Sequence, residues 1–73
     1  MKTKYEYINF KIIKELTNTK IWGIYNNKTN AQLGGIAWYS PWRQYCFYAT
    51  SDAVFNDECL EDIIDFLKQL KGR

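Results

Sequence analysis

The chain has no histidine, one proline, and two cysteines thirteen positions apart. Without histidine or a CxxC pair, no familiar zinc ligand set can be assembled, so neither a metal nor a cofactor is expected. Cys46 and Cys59 read as free, buried thiols of a reducing compartment rather than a disulfide, because free cysteine behaves as a small hydrophobe. No apolar run approaches the ~18 residues that would span a bilayer, and the opening stretch Met1 to Tyr7 is polar, unlike a signal peptide. The expectation is a soluble, cytoplasmic protein with no membrane partner. Catalytic equipment is also missing. There is no nucleophile elbow and no phosphate loop, and the acids gather on one helix face, where like-signed groups normally mean a solvated surface. An enzyme is not expected.

Strong charge of one sign is absent too. The net charge is +2, too small by itself to signal a nucleic-acid partner. Its distribution is more telling: residues 1 to 51 carry seven Lys or Arg against two acids, and residues 52 to 73 carry three against six.

What the chain does have is aromatic bulk. Seventy-three residues suffice for one domain, 1–73, and a chain of this size buries only about 60% of its unfolded surface. Aromatic residues make up 18% of it, and each buried ring removes roughly 150–250 Å² from water. Six of the thirteen rings fall between Leu33 and Tyr48.

Residues 5–15 read as a first strand, with Ile8, Phe10 and Ile12 alternating against Tyr7, Asn9 and Lys11. A second strand is expected over 20–25, with Trp22 and Ile24 opposite Ile21, Gly23 and Tyr25. The polar loop Asn26 to Asn30 leads into a third strand over 31–39. Within it Gly34-Gly35 points to a bulge, or to a close approach by a backbone or a large ring such as Trp22 or Trp42. Ser40-Pro41 fits the opening of a type I turn into a fourth strand over 43–48.

The helix is expected over 57–71. Asn56 is a good N-cap, Asp57 and Glu58 suit the positive end of the dipole, and Lys68, Lys71 and Arg73 suit the negative end. Phe55 and Leu60 have the spacing of a hydrophobic staple. Leu60, Ile63, Ile64, Leu67 and Leu70, flanked by Cys59 and Phe66, form an apolar stripe opposite Glu61, Asp62, Asp65 and Gln69, and Gly72 marks the end. The order ββββα implies an α+β fold, a four-stranded antiparallel meander with one C-terminal helix packed on one face.

If the helix covers Ile8, Phe10, Ile12, Trp22, Ile24, Ile36 and Trp38, the open face receives Tyr7, Lys11, Tyr25 and Tyr39. The fourth strand adds either Arg43, Tyr45 and Phe47 or Gln44, Cys46 and Tyr48, since a one-residue slip exchanges the faces, and the sequence leaves both open. At the hairpin tip, Trp42 and Arg43 form either a binding hot spot or, for Trp42, part of the core folded over Gly34-Gly35; the second arrangement is preferred. Tyr7, Lys11, Tyr25, Tyr39, Trp42, Arg43 and Tyr45 are thus the candidate binding residues.

The stretch from Leu33 to Phe47 resembles a pattern of short uncharacterised phage and bacterial proteins, LGxIxWYxxWRxYxF, and Val54 to Phe66 looks like the C-terminal helix of that group. Where such proteins often carry proline two residues after the last Phe, this chain has Ala49. The resemblance implies a phage or mobile-element origin and supplies no activity or ligand. The expected function is a non-enzymatic interaction protein that binds a protein partner or its own copy through the aromatic face or the hairpin tip. Single-stranded nucleic acid on the tyrosine-rich face is the alternative, and sequestration of a small aromatic ligand or nucleotide near Gly34-Gly35 a weaker one.

Overall fold

The computed structural model describes residues 1–72; Arg73, expected near the negative end of the helix, lies outside them. Four strands, β1 (Ile8–Glu15), β2 (Lys20–Asn26), β3 (Gln32–Tyr39) and β4 (Gln44–Ala49), are followed by one helix, α1 (Asp57–Lys71). The strands form one antiparallel sheet in the order β1-β2-β3-β4. The fold is the expected α+β meander with a C-terminal helix.

β1 starts at Ile8 rather than Tyr5 because the chain bends at Glu6 and Tyr7. The Tyr5 N–H donates to the Ile8 carbonyl at 2.8 Å, and the Asn27 side chain holds the bend by donating to the Tyr5 and Glu6 carbonyls at 2.8 and 3.1 Å. This turn buries Tyr5 against the helix. Its hydroxyl donates to Asp65 at 2.7 Å and accepts from Gln69 at 3.0 Å. Asp65 and Gln69, expected to face only water, therefore anchor the N-terminal segment, and Gln69 also exchanges two 2.8 Å bonds with the Lys2 backbone.

Two irregularities bend the sheet. Ile13 is an extra residue on β1, between the pairs Ile12–Trp22 and Lys14–Ile21. Leu33 is another on β3, between Gln32–Tyr25 and Gly34–Ile24, and its carbonyl is taken up by the Thr50 backbone and hydroxyl, each at 3.0 Å. The bulge thus sits one residue before the glycine pair. The close approach at the glycines is real as well. A methyl on Gly34 would collide with the Tyr48 carbonyl oxygen and meet the Phe47 ring at 3.0 Å, and one on Gly35 would meet the Trp22 carbonyl at 3.0 Å. The ring beside the pair is that of Phe47, not Trp22 or Trp42.

The core is an aromatic stack. The Phe66 ring lies parallel to Phe10 at 4.0 Å and meets Trp22 edge-on at 4.9 Å. Ile8, Ile24, Ile36 and Ile63 complete the buried set. Asn56 caps α1 by accepting from the Cys59 N–H at 2.8 Å. Phe55 packs edge-on against Phe47 at 5.3 Å, while Leu60, its expected staple partner, is left exposed. Ile12 and Trp38, expected under the helix, are both 41% exposed, and Ile64 on the helix stripe is 50% exposed. The stripe is wider than the contact it makes. Cys46 and Cys59 are both free, but half-buried rather than buried as expected.

Three outcomes follow from this packing. Phe66→Ala should cost about 3–5 kcal/mol in urea denaturation, most of the stability of so small a chain. Gly34→Ala should cost about 1–3 kcal/mol, because the Tyr48 backbone cannot move aside as a flexible side chain would. Burial, and then the hydrogen bond to Asp65, hold the Tyr5 hydroxyl well above the usual tyrosine range. Above pH ~10 the unfolded chain gives up this proton while the folded chain keeps it. Stability should therefore fall with rising pH more steeply in the wild type than in Tyr5→Phe when both are unfolded in urea between pH 9 and ~11.

Candidate interaction surface

The register of β4 decides which side chains share a face. Four residues, Ser40 to Arg43, separate the paired Tyr39 and Gln44. Ser40–Trp42 makes a 3-10 turn rather than a simple type I turn, and Arg43 closes it in the left-handed region with φ 53°. Its N–H donates to the Tyr39 and Ser40 carbonyls at 2.9 and 3.0 Å. From there Tyr45 pairs with Trp38 and Phe47 with Ile36, so both lie on the helix side, while Gln44, Cys46 and Tyr48 take the open face.

Of the two arrangements left open by the sequence, the structure adopts the second, and Tyr45 is removed from the open face. Its ring stands edge-on to Trp38 at 5.4 Å, and its hydroxyl accepts from the Lys20 N–H at 3.2 Å. Tyr7 is also displaced, because the bend that buries Tyr5 takes it out of the strand. It stands beside Glu6 and within reach of the charge of Glu58 on α1, and Glu6 first, then Glu58, raises its hydroxyl above the usual range.

The open face retains Lys11, Tyr25 and Tyr39 of the expected set. Tyr25 folds back over Gly23, whose missing side chain makes the room, and the Lys11 ammonium sits 5.4 Å from its ring centre. This face also carries a shallow trough of about 270 Å³ beside Gly34 and Gly35, lined by Ile13, Ile21, Ala37 and Tyr48 among others. The Gln32 amide and the Thr50 hydroxyl at its margin are already bonded to backbone carbonyls.

Trp42 does not fold into the core. It is 67% exposed at the hairpin tip, edge-on to Tyr39 at 5.1 Å. Pro41 and the left-handed Arg43 hold the tip as a tight turn that leaves the indole no path back to the glycines.

A larger concavity lies on the other side, between β4 and α1, a groove of about 700 Å³. Trp38, Tyr45 and Phe47 come from the sheet, and Ile64, Leu67 and Leu70 from the helix. Arg43, Lys68 and Lys71 also line it, and no acid does. It brings Trp42, Arg43 and Tyr45 together, while Tyr7, Lys11, Tyr25 and Tyr39 lie elsewhere. Trp38, Ile64, Lys68 and Lys71 were missed as site residues. For Ile64, Lys68 and Lys71 the signal was present in the helix, where Leu60, Ile64, Leu67, Lys68 and Lys71 recur on one flank of the stripe, at 3.6-residue spacing beside Ile63 and Phe66.

Among the described residues no cluster of three or more His, Cys, Asp or Glu is placed to hold a metal ion. No helix among them is long and apolar enough to cross a membrane.

Over 47 residues the chain is 34% identical to an uncharacterized 9.3 kDa protein of Acholeplasma phage L2, a match covering 64% of this chain and 60% of that protein. The chain thus aligns with about three-fifths of the length of this relative. No family model and no solved structure matches.

Because Trp42 projects into solvent, Trp42→Ala should change unfolding free energy by less than ~0.5 kcal/mol while removing the most solvent-exposed indole from the fluorescence spectrum.

Proposed function

We propose that this chain is a non-enzymatic interaction protein of phage or mobile-element origin, and that its contact surface is the groove between β4 and α1 together with the hairpin tip. The observation that carries this reading is an apolar, ring-lined concavity bordered by Arg43, Lys68 and Lys71 with no acid among its lining residues. Aromatic residues and arginine are enriched where proteins bind, and a desolvated aromatic cluster with a charged rim is the usual anatomy of a hot spot. The surface suits a partner that brings apolar side chains and acidic groups to it. The similarity to the phage L2 protein supports the origin and is silent on the partner.

The open face offers less to nucleic acid or a nucleotide. Tyr7 and Tyr45 have left it, the Tyr25 ring is occupied by Gly23 and Lys11, and the trough beside Gly35 has no cation among its lining residues to meet a phosphate.

Immobilised chain, offered a tagged second copy of itself and, separately, extract of the host cell, gives a direct test. Lys68→Glu and Trp42→Ala should each lower capture of the partner at least about tenfold, as truncating a hot-spot contact does, whereas Tyr25→Ser on the opposite face should leave it unchanged. Capture that depends on Tyr25 and ignores Lys68 and Trp42 would refute the groove as the contact surface.

A further inference from the structure

The two edges of the sheet differ in kind. The outer edge of β1 is covered at its start by the N-terminal segment, where the Phe10 N–H donates to the Thr3 carbonyl at 2.8 Å and Lys4 bridges to Asn9. Further along, β1 carries the extra residue Ile13 and the charges of Lys11, Lys14 and Glu15. Bulges and charges are the devices that keep an edge strand from pairing with another chain. β4, the opposite edge, has none of them. Gln44–Ala49 contains no charge and no proline, and its six pairs with β3 run without a register shift. Among the described residues no strand pairs with its outer side.

Large exposed apolar side chains occur on this side of the molecule, as they do along β1 at Ile12 and Ile13. Trp38 and Ile64 line the groove, Trp42 stands at its mouth, Leu60 extends the helix flank, and Tyr48 projects from β4 on the opposite face. The flank of α1 that borders the groove also has a charge order. Asp57 and Glu61 precede Ile64, the middle residue of the helix, and Lys68 and Lys71 follow it. If a second α1 runs antiparallel about a two-fold axis at Ile64, Asp57 falls opposite Lys71 and Glu61 within one residue of Lys68, twice over by symmetry. The flank is complementary to itself.

We infer that the occupant of this surface is a second copy of the chain. β4 pairs antiparallel with β4 of the copy, the sheet extends to eight strands, and the two grooves join beneath helices that run in opposite directions. This inference rests on reading the groove as the contact surface and names what fills it. An unrelated acidic peptide would answer the cationic rim, but it would leave the acidic half of the flank unexplained. A parallel pairing of two copies would bring Lys68 and Lys71 against their own kind. The isologous pairing uses each β4 once, and the guarded β1 edges at the two ends keep the sheet from growing further, so the assembly closes as a dimer.

Sedimentation equilibrium across micromolar concentrations should give twice the 8.7 kDa of the chain. Ile64→Lys sets a lysine against its own copy at the axis and should raise the dimer dissociation constant at least tenfold with an unchanged far-UV circular dichroism spectrum. Glu61→Lys and Lys68→Glu should each weaken the dimer several-fold, and the double variant should restore it. These two residues are seven apart on one helix, about 10 Å along its axis, so the rescue has to come from the other chain. A short bismaleimide should link the wild type and Cys59→Ser through Cys46, and should fail with Cys46→Ser.

A dimer indifferent to Ile64→Lys, or linked equally well without Cys46, overturns the inference. So does a chain that sediments as a monomer throughout. In that last case the groove is titrated with a synthetic peptide of alternating Glu and Leu and with oligothymidylate, following tryptophan fluorescence. Binding of the peptide leaves the groove as a protein contact surface and removes only the second copy. Binding of the oligonucleotide alone, or of neither, removes both readings.

Discussion

A single helix cannot cover a four-stranded sheet. A helix with its side chains is about 10 Å across, while four strands at ~4.8 Å spacing present roughly 19 Å. Here the helix lies nearest β4, while its Phe66 ring reaches Phe10 and Trp22 on β1 and β2 and its Asp65 takes the Tyr5 hydroxyl bond. The exposed surface follows from that shortfall in width. Trp38 and Ile64 are left half in water, the groove opens beside β4, and the hairpin tip has nothing to fold against.

The helix also sets the electrostatics. The sheet-bearing part of the chain is basic and the helix-bearing part acidic, yet the last turn of α1 carries Lys68 and Lys71, which also suit its negative dipole end. That local reversal converts the helix border of the groove into a cationic one. Glu58 in the first turn stands near Tyr7, whose hydroxyl feels its charge. Charge separation in this molecule is therefore arranged along the helix axis as well as between sheet and helix.

Much of the architecture was legible in the sequence. Period-two alternation located the strands, and the Asn56 cap with its acidic first turn located the helix, because these patterns depend only on neighbours along the chain. Three features escaped for physical reasons. Tyr5 looked like the start of β1, but a side chain sixty positions away, Asp65, supplies the bond that helps hold the chain in its bend. The face of β4 depended on the length of one turn, and four residues rather than three moved Tyr45 to the helix side. Trp42 was assigned to the space over the glycines, which the Tyr48 and Trp22 backbones and the Phe47 ring already fill. The candidate site was less legible than the fold, since the groove exists only as a mismatch of widths between two elements, and no single segment records it.

The left-handed turn at Arg43 carries a consequence for how this hairpin is maintained. Arg43 and Asn30 are the two non-glycine residues with positive φ among the described residues. Asparagine tolerates that conformation, whereas a residue such as arginine gives up about 1 kcal/mol there relative to glycine. A glycine at position 43 would close the same turn at lower energy, but would leave the mouth of the groove without its guanidinium. The turn is thus built less favourably than its geometry requires, and the difference in free energy is what holds a permanent positive charge beside Trp42.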